Sequence, residues 1–339
     1  MIKNMKRTVL ALLILIAGSI EVSAQLSKVG TNAADFLLIP VGARSSAMTA
    51  FTATVNDPSA MVLNPAGLAD VGTSQVLAEA TDWYLDFTHT YLGVAIPTKN
   101  GAAGIHVLAM DYGEFDETTA EAQGKTGRTF GAYSVSFGAS YAQYLLPQFT
   151  IGGTVKMVYE KIANSSASTV AFDVGTMYDT PFYGVRFAVS VTNVGSKLQM
   201  QGNDLIIRSD PDRNQEGNYE PDANLATSSY DLPLRLRVGF AWDAINTDDI
   251  RATLSVDGNN PTNNLQSVSV GTEISLLGDK VFLRGGLPYI GLEDATEKFN
   301  AGIGFKYDIN DDMAIGFNYT YHGFSYLGDV NKLNLQIYF

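Results

Sequence analysis

The sequence has no cysteine, only two tryptophans and only three histidines. Without cysteine there is no disulfide framework, no thiolate metal site, no cysteine nucleophile and no lipid-modified N-terminal cysteine. Basic residues are also scarce, with 22 Lys and Arg against 35 Asp and Glu for a formal net charge of -13. Nucleic-acid affinity rests on Lys and Arg neutralising phosphates, so no nucleic-acid partner is expected. Beyond the N-terminus no apolar run approaches the roughly 18 residues that a membrane helix needs. A mean hydropathy of +0.04 is too polar for a bundle of membrane helices. The aromatic and glycine content is too high for a disordered chain.

What is present begins with a targeting signal. Lys3, Lys6 and Arg7 precede an apolar run from Thr8 to Ile20, and Val22-Ser23-Ala24 stand before Gln25. A basic start, an apolar middle and a small-x-small site are the layout of a secretory signal peptide, expected here over residues 1–24 with cleavage after Ala24.

From about Ser74 onward the pattern is period two. Met313, Ile315, Phe317, Tyr319 and Tyr321 alternate with Ala314, Gly316, Asn318 and Thr320. Leu234, Leu236, Val238, Phe240 and Trp242 alternate with Arg235, Arg237, Gly239 and Ala241 in the same way. Each such segment reads as a strand with one large apolar face and one small or polar face. A soluble sandwich also alternates. Three features favour a membrane barrel: aromatics such as Trp83, Tyr112, Tyr141, Trp242, Tyr307 and Tyr326 bounding the apolar faces, a final strand Leu333, Leu335, Ile337, Phe339, and the even strand count. The fold expected is all-β, a transmembrane antiparallel β-barrel of about 14 strands over residues 73–339. Short turns at one end and long polar connections at the other, notably Gly113 to Gly127, Ser196 to Asp231 and Tyr289 to Thr296, complete the expectation. The expected location is the bacterial outer membrane, with its lipid as the first partner. Phe339 is then the assembly signal.

Residues 25–72 do not alternate. Ala47, Met48, Phe51 and Val55 fit one helical face. Asp57-Pro58 reads as an N-cap followed by proline at the first helical position, and Asn64-Pro65 interrupts that short helix. The segment is too small-residued and apolar for a solvated linker, and is expected to be a plug within the barrel.

Two stretches in this segment, AADFLLIPVGARSSAM (Ala33 to Met48) and NDPSAMVLNPAGLAD (Asn56 to Asp70), resemble the N-terminal signature of the PorV/PorQ family, which belongs with FadL-like barrels. Phe36, Pro40, Gly42, Ala43 and Arg44 carry the first half of the match, and Asp57, Asn64, Pro65, Ala66 and Gly67 the second. The second half is shared with FadL-type transporters of hydrophobic compounds. The resemblance implies an interaction or shuttle component of type IX protein secretion, binding a translocon, a cargo C-terminal domain or a surface attachment partner. The alternative is a FadL-like transporter of hydrophobic small molecules. Under the first reading the long acidic loop, with Asp204, Asp210, Asp212, Glu216 and Tyr219, is the contact surface.

The residues point to no enzyme, no cofactor and no metal. His89, His106 and His322 lie in different strands with no serine placed beside them by any motif. Patterns such as Gly302-Ile303-Gly304 are strand glycines and not a phosphate loop. Asp111, Glu114, Asp116 and Glu117 lack calcium-loop spacing and read as solvated acids, as do Asp308 to Asp312. Arg44 and the strand residues Lys156, Glu160, Arg186, Arg235, Arg237, Arg251, Glu273, Arg284 and Lys306 are expected to face the lumen as a charged ladder, which is a poor path for a lipid.

Overall fold

A sheet whose residues alternate between large apolar and small polar must hide one set from the other, and this chain does so by closing on itself. The structure is a computed structural model that describes residues 30–119, 123–209, 221–292, 295–326 and 328–339. The expected signal peptide lies outside these residues. Fourteen antiparallel strands form the barrel: β1 Gln75–Asp82, β2 Thr88–Thr98, β3 Gly101–Thr119, β4 Gly124–Leu146, β5 Phe149–Ile162, β6 Ser165–Asp179, β7 Val185–Gly195, β8 Arg235–Asn246, β9 Ile250–Pro261, β10 Ser267–Leu276, β11 Val281–Ile290, β12 Glu297–Asp308, β13 Ala314–Phe324 and β14 Val330–Tyr338. Each pairs with its sequence neighbours, and β1 closes the sheet by pairing with both β2 and β14, so that Gln75 lies between Ala95 and Tyr338. Closure leaves no sheet edge, the condition for strands in lipid.

The two faces separate as alternation requires. Phe137, Phe172, Val155, Met157, Phe305 and Phe317 point outward and are exposed, while Asn318, Thr320, Ser136 and Thr154 point inward and are buried. An outer belt of Val, Ile, Leu, Met and Phe around a polar-lined interior is what a barrel presents to lipid. Among the described residues no helix is long and apolar enough to cross a membrane. The connections at 99–100, 147–148, 180–184, 247–249, 277–280 and 309–313 are short and share one end, the end at which β1 begins and β14 finishes. The backbone N–H of Phe339 donates to the Ser74 carbonyl at 2.9 Å, tying the last residue to the start of β1.

Two expectations are corrected. Gly113 to Gly127 is mostly strand, because β3 and β4 continue past the membrane belt as a long hairpin. Its polar residues hid the pairing, since they satisfy one another across the ladder: Lys125 pairs with Asp116, Thr126 donates to Glu117 at 2.7 Å and Thr129 to Glu114 at 3.2 Å. The single helical face through Ala47 and Val55 is also broken. Helix α1 (Ala43–Met48) stops at Thr49, whose φ is 61°. The N–H groups of Phe51 and Thr52 then donate to the Asp257 carboxylate of β9, at 2.8 and 2.9 Å, in place of a helical carbonyl. The four apolar side chains are buried all the same.

The outward face and its depth can be tested together. Phe317→Arg, on the outward face of β13 and deeper than Tyr307, should lower stability by about 2–4 kcal/mol. Tyr307→Arg, outward but near the short-turn end of β12, should cost less than about 1 kcal/mol. Reversible denaturant unfolding in liposomes measures both, and equal costs would contradict the placement of these strands across the bilayer.

Candidate functional site

Charge fixes the N-terminal segment to one side of the lumen. Glu273, on β10, is almost fully buried and takes two arginines. Arg44 of α1 approaches it through Nε at 2.8 Å and Nη2 at 3.0 Å, and Arg284 of β11 through Nε at 2.7 Å. Arg251 lies 3.7 Å away. The remaining Arg44 donor, Nη1, reaches the Thr54 carbonyl at 2.9 Å and Asn56 Oδ1 at 2.7 Å, so one side chain ties α1, the turn after it and the wall together. Burial disfavours the Arg44 cation, but Glu273 more than offsets this and holds the guanidinium above its ordinary value. The wall also clasps the segment through backbone groups: Asn300 donates to the Ser46 carbonyl at 2.9 Å, Ser255 to that of Ala50 at 2.7 Å, and Lys332 to that of Pro40. Lys332 is fully buried and also pairs with Glu79 at 3.1 Å.

The Asn64 to Gly67 turn sits against β5 and β6. Asn64 is extended (φ -151°) before Pro65, its Nδ2 donates to the Thr52 carbonyl at 2.9 Å, and its Oδ1 accepts the Ala66 N–H at 3.2 Å. A proline-led 3-10 turn, Pro65–Asp70, follows. The wall admits it only because Gly152 and Gly175 have no side chains: a Cβ at Gly152 would lie 2.4 Å from the Pro65 carbonyl, and one at Gly175 would lie 1.8 Å from Asn64 Oδ1. Asp57 accepts from the Ser59 N–H at 2.8 Å and so starts the turn into α2 (Ala60–Leu63).

The other side of the lumen is apolar. Phe36 and Val41 pack with the inward residues Tyr91, Leu108, Met110 and Val158. Toward the short-turn end Phe51, Met61 and Leu68 pack with Ala95, Ala102 and Ala142, and Val62 touches both groups. The expectation of a uniformly charged lumen is therefore half right. The acids and arginines concentrate on β8 to β11. The wall from β2 to β5 carries a column of apolar side chains, which residues of the N-terminal segment fill. Within it, the Lys156 ammonium is neutralised by Asp173 at 2.7 Å.

At the long-loop end the column meets a cavity of about 390 Å³ lined by Tyr112, Phe115, Phe130, Ala132, Ser134 and Glu160, with Met200 among its other walls. A β-bulge builds it. The β3 and β4 register slips between Asp111 and Glu114, around Gly113 with φ +74°. One extra residue reverses the alternation, so Phe115 joins Tyr112 on the inner face. Phe115 then stacks on Phe130 with ring centres 5.6 Å apart. Tyr112, expected in the outer girdle, instead packs edge-on against Phe87 at 5.1 Å and bonds Ser134. Two glycines flanking the polar stretch, Gly113 and Gly127, were the available sequence signal for this irregularity. Their flanking aromatics gave no sign of which face they would take.

The remaining expected residues fall as follows. Phe36 packs against the apolar wall, while Pro40, Ala43 and Arg44 meet β14, β13 and β10 through Lys332, Thr320 and Glu273. The Ala43 carbonyl accepts from Thr320, and the Gly42 carbonyl accepts the Ser46 N–H at 2.9 Å. Asp204 caps the β5 to β6 turn by accepting from Asn164 N–H and Nδ2 at 2.8 and 2.9 Å. Asp210, Asp212, Glu216 and Tyr219 lie outside the described residues. His322 pairs with Glu297 at 2.8 Å. His89 and His106 are buried, and no hydrogen-bond partner reaches either ring among the described residues.

A closed 14-stranded antiparallel barrel with an apolar outer belt, a charged inner wall and an N-terminal segment clasped within it defines the class. Residues 13–195, more than half of the chain, match the family model described as an uncharacterised protein family (UPF0164), and the chain belongs to that family. Comparison with curated proteins by sequence finds no match. Among solved structures the fold is similar to that of the toluene transporter TbuX of Ralstonia pickettii, with a TM-score of 0.56, 12% identity, and coverage of 88% of this chain and 97% of that one. It is similar to the toluene transporter TodX of Pseudomonas putida, with a TM-score of 0.55, 12% identity, and coverage of 88% and 96%. A Pseudomonas aeruginosa FadL homologue gives a TM-score of 0.52 at 12% identity, with coverage of 93% and 99%. At these identities the likeness is one of fold.

The Glu273 junction predicts how the segment is held. Glu273→Ala strands Arg44 and Arg284 as buried cations, and should cost about 3–5 kcal/mol. It should also open the Arg44 peptide bond to trypsin in detergent-solubilised protein that still carries its barrel β-sheet signal. Unchanged cleavage with unchanged stability would remove Glu273 from that role.

Proposed function

We propose that this protein is a non-enzymatic outer-membrane barrel that admits small hydrophobic molecules. They enter at the bulge-built cavity and move inward along the apolar column when the N-terminal segment shifts. The observation that carries this reading is the continuity of apolar side chains from Phe115 and Tyr112 through Phe36 and Val62 to Met61 and Ala102. Apolar pockets with a few polar groups are the usual form of a small-molecule site. The likeness of fold to toluene transporters and to a FadL homologue supports the same reading. Anchors on the charged wall would hold α1 in place while the apolar contacts, which are not directional, give way.

A second reading, as an interaction or shuttle component of type IX secretion, draws support from the outer loop. Leu198–Gln199 pairs there with Ser229–Tyr230, and Ile206–Arg208 with Asp222–Asn224. The loop exposes Ile206, Ile207, Leu225 and Tyr230, an apolar surface suited to a protein partner.

One experiment separates the two. Radiolabelled toluene uptake is measured in bacterial cells that make the protein and lack any transporter of their own. Ala132→Trp, which fills the cavity, should cut the uptake rate at least about tenfold. Deletion of residues 210–220 should leave uptake unchanged. Uptake no faster than in cells without the protein, with loss of a co-purifying translocon subunit or cargo on the loop deletion, would favour the secretion reading.

A further inference from the structure

Three polar groups of the rim cavity form a relay that ends on an acceptor. The Tyr112 hydroxyl lies 3.3 Å from Ser134 Oγ, and Ser134 donates to Glu160 Oε1 at 3.2 Å. The serine's proton is thus committed to the carboxylate, and the tyrosine's to the serine. The Ala34 backbone is the only other hydrogen-bond partner of Glu160 among the described residues. An ionised carboxylate offers about four acceptor sites, so Glu160 keeps free capacity toward the cavity.

Glu160 also differs from most of the other inward acids, which are ion-paired, and from Asp257, whose carboxylate is taken up by the Phe51 and Thr52 N–H groups and the Thr52 hydroxyl. Glu79 has Lys332, Asp173 has Lys156, Asp243 has Arg186 and Glu273 has Arg44 and Arg284. No cation lies within ion-pair distance of Glu160 among the described residues. The adjacent Lys161 turns outward, over the Tyr133 ring at 5.9 Å. Lys161 also lines the cavity, but its ammonium is held over the Tyr133 ring, and the rest of the lining is aromatic or aliphatic.

We propose that this cavity selects neutral aromatic alcohols, whose ring lies against Tyr112, Phe115 and Phe130 and whose hydroxyl donates to Glu160, and that it refuses aromatic carboxylates. The proposal rests on the transport reading above and narrows its substrate class. A hydrocarbon of the same shape would leave the carboxylate's free acceptor capacity facing an apolar group, a desolvation cost without return. A carboxylate ligand would set like charges together in a site of low polarity. An ammonium head would satisfy Glu160, but it would then meet the apolar column below. A neutral donor is the class that both the cavity and the column accept.

Binding to the protein in lipid nanodiscs, corrected for empty nanodiscs, tests this with benzyl alcohol, its near-isostere ethylbenzene, and benzoate. Benzyl alcohol should bind about tenfold more tightly than ethylbenzene, the fold-change of one hydrogen bond to a charged acceptor, and benzoate should not bind measurably. In Glu160→Leu the alcohol and the hydrocarbon should bind alike. In Glu160→Gln, which keeps shape and removes charge, benzoate should begin to bind, which guards against a folding defect in the leucine variant. Equal binding of alcohol and hydrocarbon by the unmodified protein would overturn the selectivity while leaving the transport reading intact. A preference that survives in both variants would overturn the role of Glu160. If none of the three compounds binds, the transport reading itself fails.

Discussion

Everything in this protein follows from the need to pair every backbone N–H and C=O of a chain that meets lipid. A sheet can meet that condition only by closing. Closure turns the period-two pattern into two surfaces: an outside that takes the large apolar residues and an inside that receives what is small, polar or charged. The inside of a 14-stranded ring is too wide for its own side chains to fill. Residues 30–72 occupy it, and wall groups take up that segment's exposed backbone donors and carbonyls, as when Asp257 accepts from Phe51 and Thr52 and Asn300 donates to Ser46.

The fold was legible because alternation is a local property. Met313 to Tyr321 places each residue on its face without reference to any other strand, and the same holds wherever the period is unbroken. It failed where the period carries no apolar signal or slips. The β3 and β4 extensions are strand by virtue of mutual pairing between polar residues such as Glu117 and Thr126, which no single segment reveals. The rim cavity depended on one inserted residue at Gly113, and an insertion of one reverses every later assignment on that strand.

The site was legible only in part for a different reason. Arg44, Asn64 and Pro65 stood out as a motif, but what they do is decided by partners far away in sequence: Glu273 for Arg44, and the absence of side chains at Gly152 and Gly175 for the Asn64 turn. Glu160 and Glu273 look alike in sequence, each an inward acid on an alternating strand. Their difference lies entirely in which cations the closed barrel brings to each.

That difference organises the lumen. Ion pairs between Arg44, Arg284 and Glu273 are directional and costly to break in a buried setting, so the wall from β8 to β11 holds its part of the N-terminal segment as a fixed post. Contacts of Phe36, Val41 and Val62 with the opposite wall are dispersive, and each can be exchanged for contact with another apolar body at little net cost. Under the proposed transport reading, a molecule entering from the rim would compete on the second wall and not on the first. The segment can therefore remain anchored while one flank of it yields, which is how the proposed passage of small apolar solutes is compatible with a filled lumen.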